Sequence, residues 1–167
     1  MYHVKNSPGV WEVELQSGAI KHGDLYKLKV RWNGGEGERI PAWANRVVQD
    51  EQTKIFSAQV WEPENPYRFR KKVFRAKTDP LMIYECHIGM AQEEERVGTY
   101  NEFREKILPR IAEAGYNCIQ IMAIQEHPYY GSFGYHVSSF FAPSSRFGTP
   151  DELKELIAVS YTHLTLP

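Results

Sequence analysis

The sequence predicts a chain of two architectures: an antiparallel β-sandwich over residues 1–62 and a parallel α/β segment over residues 81–158. Three observations carry this. Apolar and polar residues alternate in short runs near the start, as half-buried strands require. Past residue 81 the short runs are largely apolar and flank a stretch of helical spacing, the pattern of a βαβ unit. Between the two lies Glu62–Pro80, with three prolines and six basic residues. That composition is a linker, assigned to residues 63–80, and acidic neighbours make its charge a solvated face.

In the first segment, Val10–Leu15 (VWEVEL) and Leu25–Trp32 (LYKLKVRW) alternate cleanly, and Asn33–Gly37 (NGGEG) reads as the turn after them. Ile55–Trp61 (IFSAQVW) is a third strand candidate. Sixty residues are few for a sandwich, so further strands are expected to precede Met1. In the second segment Leu81–Ile88 (LMIYECHI) is a strand read as apolar on both faces. Thr99 with Glu102 forms a capping box that opens a helix carrying Tyr100, Phe103, Ile107 and Ile111 on one face. Pro109 should kink that helix, and Gly115 ends it. Cys118–Ile124 (CIQIMAI) is the second buried strand, and a right-handed crossover is expected. A long connection, Gln125–Gly148, reaches a second capping box at Thr149-Pro150-Asp151-Glu152. Leu153, Leu156 and Ile157 begin an apolar face there, and the pattern then stops.

Composition bounds the function. The 167 residues are 42% hydrophobic and 25% charged, values of a globular protein. Twenty basic against 21 acidic residues give a formal charge of −1, which excludes a nucleic-acid grip by charge alone. No apolar run is long enough for a membrane helix, and the start lacks a secretory signature. Cys86 and Cys118 are too few for a disulfide framework, so a reducing, cytoplasmic location is expected.

In a parallel α/β fold, chemistry gathers at the carboxyl ends of the strands. Those ends here read Glu85-Cys86-His87 and Gln125-Glu126-His127. A metal set of His87, Glu126, His127 and His136 lacks any close ligand spacing. A Cys–His pair would need Cys86 or Cys118, both inside apolar strands where thiols are inert. Glu85 and Glu126 would have to stand about 5–5.5 Å or about 6.5–9.5 Å apart for glycosidic chemistry, and orienting roles suit them better. The loop Pro128–His136 (PYYGSFGYH) sets three tyrosines among small residues. Flat rings with a hydroxyl handle suit a pyranose, and ordinary loop packing explains them equally well.

A longer string goes beyond what the composition offers. Leu108–Ile111 (LPRI), Gly115–His127 (GYNCIQIMAIQEH), Tyr129–Val137 (YYGSFGYHV) and Ser144–Pro150 (SSRFGTP) stand in one order. Together they closely resemble the 1,4-alpha-glucan (glycogen) branching enzymes of glycoside hydrolase family 13. Tyr84–Gly89 (YECHIG) resembles that family's first barrel strand. Arg39–Trp43 (RIPAW) and Val60–Pro63 (VWEP) resemble the end of its family 48 carbohydrate-binding sandwich. The resemblance covers nearly all of residues 9–157. It implies an immunoglobulin-like sandwich followed by the first βαβ part of a (β/α)8 TIM barrel. It implies a cytoplasmic transferase of glycogen biosynthesis that cleaves α-1,4 glucan chains and rejoins them through α-1,6 bonds. The implied mechanism is a retaining double displacement without cofactor or metal, by a monomeric parent that binds neither nucleic acid nor membrane.

By the same resemblance, Tyr135 matches the tyrosine that stacks under the sugar at the cleavage site, and Glu126, His127 and Tyr130 would line the rim. Trp11, in Gly9–Glu12 (GVWE), is a candidate glucan platform or a core residue. The catalytic carboxylates of the family are expected beyond residue 158, so none is assigned here. A non-catalytic glucan-binding module and another family 13 enzyme, a debranching hydrolase or amylase, remain as alternatives. Residues 159–167 (VSYTHLTLP) read as the translation of a sequencing adapter, so a truncated, aggregation-prone and inactive fragment is expected.

Overall fold

The computed structural model describes residues 1–69 and 80–163. The expected linker therefore lies partly outside the described residues, as do Leu164–Pro167 of the expected tail.

Seven short strands make up the first part: β1 (Tyr2–His3), β2 (Trp11–Glu12), β3 (Leu25–Tyr26), β4 (Leu28–Trp32), β5 (Gly35–Arg39), β6 (Val47–Gln49) and β7 (Phe56–Gln59). All their pairings are antiparallel. β1 pairs β2 as an outlying ribbon, β4 pairs β5 as a hairpin, and β3-β7-β6 form a three-stranded sheet. The run at 10–15 keeps only two residues in register, because its exposed side chains find no core to face. The run at 25–32 divides between two sheets at Lys27. The glycine-rich turn proves to be mostly strand. Gly35 and Gly37 pair with Trp32 and Val30, which shrinks the turn to Asn33-Gly34. Cross-strand charges hold that register, with Lys29 Nζ 2.7 Å and Arg31 Nε 3.0 Å from the Glu36 carboxylate.

The second part begins with β8 (Ile83–Cys86) and β9 (Cys118–Ile121), which pair in parallel with Ile83 opposite Cys118 and Cys86 opposite Ile121. The crossover holds α1 (Tyr100–Glu102), a π-helical turn (Phe103–Ile107) and α2 (Leu108–Glu113). Thr99 forms the expected capping box: its Oγ1 accepts from Glu102 N at 3.2 Å, and its own N–H donates to Glu102 Oε2 at 3.1 Å. In place of a simple proline kink, the helix widens. The Leu108 N–H reaches back five residues to the Phe103 carbonyl, and Pro109 falls in the first turn of α2, where a missing N–H costs least. Cys86, Ile88, Tyr100, Phe103, Leu108, Ile111, Ile119, Phe147 and Leu156 close the core.

Two further expectations need correction. β8 is not covered on both faces: Leu81, Met82, Ile83 and Tyr84 are exposed, and among the described residues β8 pairs with β9 alone. The helix beginning at the second capping box, α3 (Pro150–His163), does not stop at Ile157. In the added turns Ser160 is fully buried, and its hydroxyl is satisfied by donating to the Leu156 carbonyl at 2.8 Å.

The connection from Gln125 to Gly148 contains two unforeseen strands, β10 (Gln125–Glu126) and β11 (Ser139–Pro143). Their register is broken. Gln125 lies opposite Pro143 while the next residue, Glu126, lies opposite Ser139. The intervening Phe140-Phe141-Ala142 forms a bulge. Ala142 at its end is buried with Ala44, Val47 and Ala58, so a residue of the second part completes the core of the first.

Candidate functional site

Because β8 and β9 run parallel, the segments after Cys86 and Ile121 leave from the same end of the pair. His87 and the turn Ile88–Met90 follow the first strand; the tyrosine loop follows the second. Polar contacts join them. The His87 Nε2–H donates to the Phe133 carbonyl at 2.8 Å, and the Tyr130 hydroxyl donates to the Gly89 carbonyl at 3.1 Å. A Cβ on Gly89 would stand 2.7 Å from both the Tyr130 hydroxyl and the Phe147 ring, so only glycine permits this approach.

The loop itself is strained. Ala123 and Phe133 take φ of 50° and 52°, a left-handed region costly to residues with a Cβ. Gly134 follows at φ 86°, packed so that a Cβ would meet the Ala123 carbonyl oxygen at 2.5 Å. This run delivers Tyr135 outward, 65% exposed, with its hydroxyl 3.3 Å from Met122 Sδ. A tyrosine steered outward by strained backbone and held only at its tip offers a ring face to a ligand.

Glu126 and His127 point inward and are fully buried. The Glu126 carboxylate accepts from the His127 N–H at 3.0 Å and from the Ser145 N–H at 2.7 Å, tying the start of the connection to its end. His127 Nδ1–H donates to the Gln125 carbonyl at 3.0 Å, and its ring lies tilted against Tyr130 and Phe147. Tyr130 is half-buried, with burial holding its phenol above its ordinary pKa. Trp11 stands apart on the β1–β2 ribbon, exposed and edge-on to His3 at 5.4 Å. So four of the five expected residues share the one connection, and one does not.

Arg46, just before β6, was not foreseen. Its guanidinium is buried, donates to the Gly148 carbonyl and lies over the Trp61 ring at 5.3 Å. Burial lowers its pKa, and Glu126 and Glu152 oppose that shift. Arg146 adds a second tie, from its Nη2 to the Pro128 carbonyl at 3.1 Å and toward Gln49 Oε1 at 3.5 Å. No motif flagged Arg46, because its role depends on a partner 102 positions away.

Other chemistries are poorly served. Burial pushes the Cys86 thiol up to about 12, with Glu85 adding to the effect, so it stays protonated and non-nucleophilic. Among the described residues no cluster of three or more His, Cys, Asp or Glu is placed to hold a metal ion, and no helix is long and apolar enough to cross a membrane.

No protein-family model matches the chain. Curated relatives do. A 1,4-alpha-glucan-branching enzyme from Dictyostelium discoideum is 44% identical over 159 residues, 92% of this chain. That from Saccharomyces cerevisiae is 48% identical over 155 residues, 86% of this chain. Over most of its length the chain is similar to 1,4-alpha-glucan-branching enzymes. It spans about a quarter of the length of these relatives, 23% and 22%. A chloroplastic/amyloplastic branching enzyme of Arabidopsis thaliana is 47% identical over 92% of this chain, which covers 20% of it. Solved structures agree on the fold. A putative alpha amylase from Salmonella typhimurium superposes with a TM-score of 0.71 at 23% identity, over 88% of this chain and 24% of that one. A pullulanase solved with maltotetraose gives 0.69 at 17% identity, over 85% of this chain and 24% of that one. In this chain the tyrosine loop, the buried Glu126 and the Arg46 tie form one connected unit.

Proposed function

We propose that this chain is an α-glucan-binding part of an enzyme that cleaves α-1,4 glucan and rejoins the piece as an α-1,6 branch in glycogen biosynthesis. The observation that carries it is the 44–48% identity to branching enzymes across most of the chain. Residues 1–62 then belong to a family 48 carbohydrate-binding sandwich and residues 81–158 to the opening of a (β/α)8 barrel, joined by the linker 63–80. Residues 159–167 remain the proposed adapter-derived tail. The parallel β8–β9 pair with its helical crossover supports the barrel reading.

Within that reading Tyr135 stacks beneath a sugar ring, and Tyr130 borders it. Glu126 and His127 act from behind, as a buried brace under the rim. Trp11 offers a separate platform on the sandwich. The carboxylates of the reaction come from outside residues 1–158. One displaces the 4-oxygen of the cleaved bond, which takes a proton from an acid. The resulting base then removes the proton from an acceptor 6-hydroxyl as that oxygen attacks the anomeric carbon and breaks its bond to the first carboxylate, which leaves ionised. The ligand class is an α-1,4-glucan, as for the pullulanase solved with maltotetraose. The two buried, free thiols suit a reducing cytoplasm.

Affinity electrophoresis tests this directly. The chain should be retarded in a native gel containing glycogen, and Tyr135→Ala should weaken the retardation about three- to ten-fold. Equal mobility with and without glycogen would sink the proposal.

A further inference from the structure

His87 follows β8 directly and is 9% exposed. The Phe133 carbonyl can only accept, so the 2.8 Å contact fixes a ring proton on Nε2. Nδ1 is buried without a hydrogen-bond partner among the described residues. The ring lies edge-on to Phe133 and Phe147, with centroids 6.5 Å and 5.6 Å away. For packing alone an apolar side chain of similar size would serve this seat better, because an unpaired buried nitrogen destabilises the fold. The imidazole is therefore kept for its one bond.

What that bond holds is specific. Phe133 is left-handed, with φ 52° and ψ 28°. Its carbonyl lies in the peptide plane that leads into Gly134, and Tyr135 comes next. Holding that carbonyl sets the direction in which the chain enters Gly134, whose φ is 86°. A second grip comes from Met122. Its N–H donates to the Cys86 carbonyl at 2.8 Å, and its Sδ meets the Tyr135 hydroxyl at 3.3 Å. His87 thus holds the backbone two residues before the tyrosine, Met122 holds its tip, and Cys86 joins the two grips. We propose that His87 is a positioning residue for Tyr135: through the Phe133 carbonyl it keeps the strained run in the conformation that presents the tyrosine ring to a sugar. This rests on the glucan-binding reading above. His87 itself touches neither the sugar nor the reacting atoms.

Isothermal titration of the 167-residue chain with maltoheptaose separates the bond from packing. His87→Gln keeps an N–H donor at the end of the side chain, whereas His87→Leu keeps the bulk and loses the donor. His87→Leu should bind about two- to ten-fold more weakly than the native chain, and His87→Gln should recover most of that loss. Packing alone predicts the reverse order, with Leu at least as good as Gln. Added to Tyr135→Ala, His87→Leu should cost no further affinity, since its effect passes through the tyrosine. The native chain gives a check that needs no variant to fold: the nitrogen resonances of the His87 imidazole should show a proton on Nε2, and a ring protonated on Nδ1 alone overturns the proposal. If the native chain binds and Tyr135→Ala weakens it, while His87→Leu binds like the native chain or His87→Gln is no better than His87→Leu, the positioning role is refuted and the glucan-binding reading stands. If the native chain binds no maltoheptaose, both fall.

Discussion

Single residues here do work that their types do not announce. Glu126 reads as a rim carboxylate and is instead a two-handed acceptor for backbone N–H groups. Glu126→Gln places an amide NH2 where one of those N–H groups needs an oxygen. The expected cost is about 1–3 kcal/mol of folding stability, measurable from urea midpoints. An unchanged midpoint would mean the carboxylate is not what holds the connection. Gly89→Ala should also destabilise, because its Cβ must displace Tyr130 or Phe147. That variant should lose the protection of the Tyr130 ring from iodination, while a distant substitution of equal cost should not. Arg46→Met keeps much of the packing over Trp61 but drops the bond to Gly148. A loss of about 1.5–3 kcal/mol is expected for a hydrogen bond from a charged group.

At the scale of elements, capping was the most legible feature. Both capping boxes lie where Thr99 and Thr149 predict them, since each is a purely local arrangement. The Arg96 guanidinium, with help from Thr99, holds the Glu102 carboxyl down to about 2. A carboxyl lowered in the folded state stabilises it fully above the unfolded value near 4.5, and that contribution vanishes as pH falls through about 2. The stability difference between the native chain and Glu102→Gln should accordingly be steady from pH 6 to 5 and shrink toward zero by pH 2. A gap that stays constant down to pH 2 would refute the role of the charge. What the sequence hid at this scale is non-local. β6 has three residues, and β10 and β11 pair only across a bulge, so none shows a periodicity of its own. β4 showed its alternation in the sequence, whereas β5 was readable only once Glu36 met Lys29 and Arg31 across the turn. Of the site, Tyr135 was marked by the residues around it, whereas Arg46 is defined by a partner 102 positions away.

For the whole molecule, the two parts share one joint: Ala142 in the first core, Arg46 on Gly148, and Trp43 on Phe141. Elsewhere the exposed run Leu81–Tyr84 lies along β8, whose described neighbour is β9 alone. An apolar strand with an open edge recruits other chains. Light scattering of the native chain should rise with concentration, and Ile83→Lys should lower it; scattering that stays flat in both would contradict the open edge. The joint also has a consequence in time. Ala58 is made long before Ala142, and the first core is incomplete until the later residue is seated. At about 5–20 residues per second, synthesis of the intervening chain takes about 4–17 s. Throughout that interval the nascent first part lacks the methyl group and backbone that Ala142 later brings to its core.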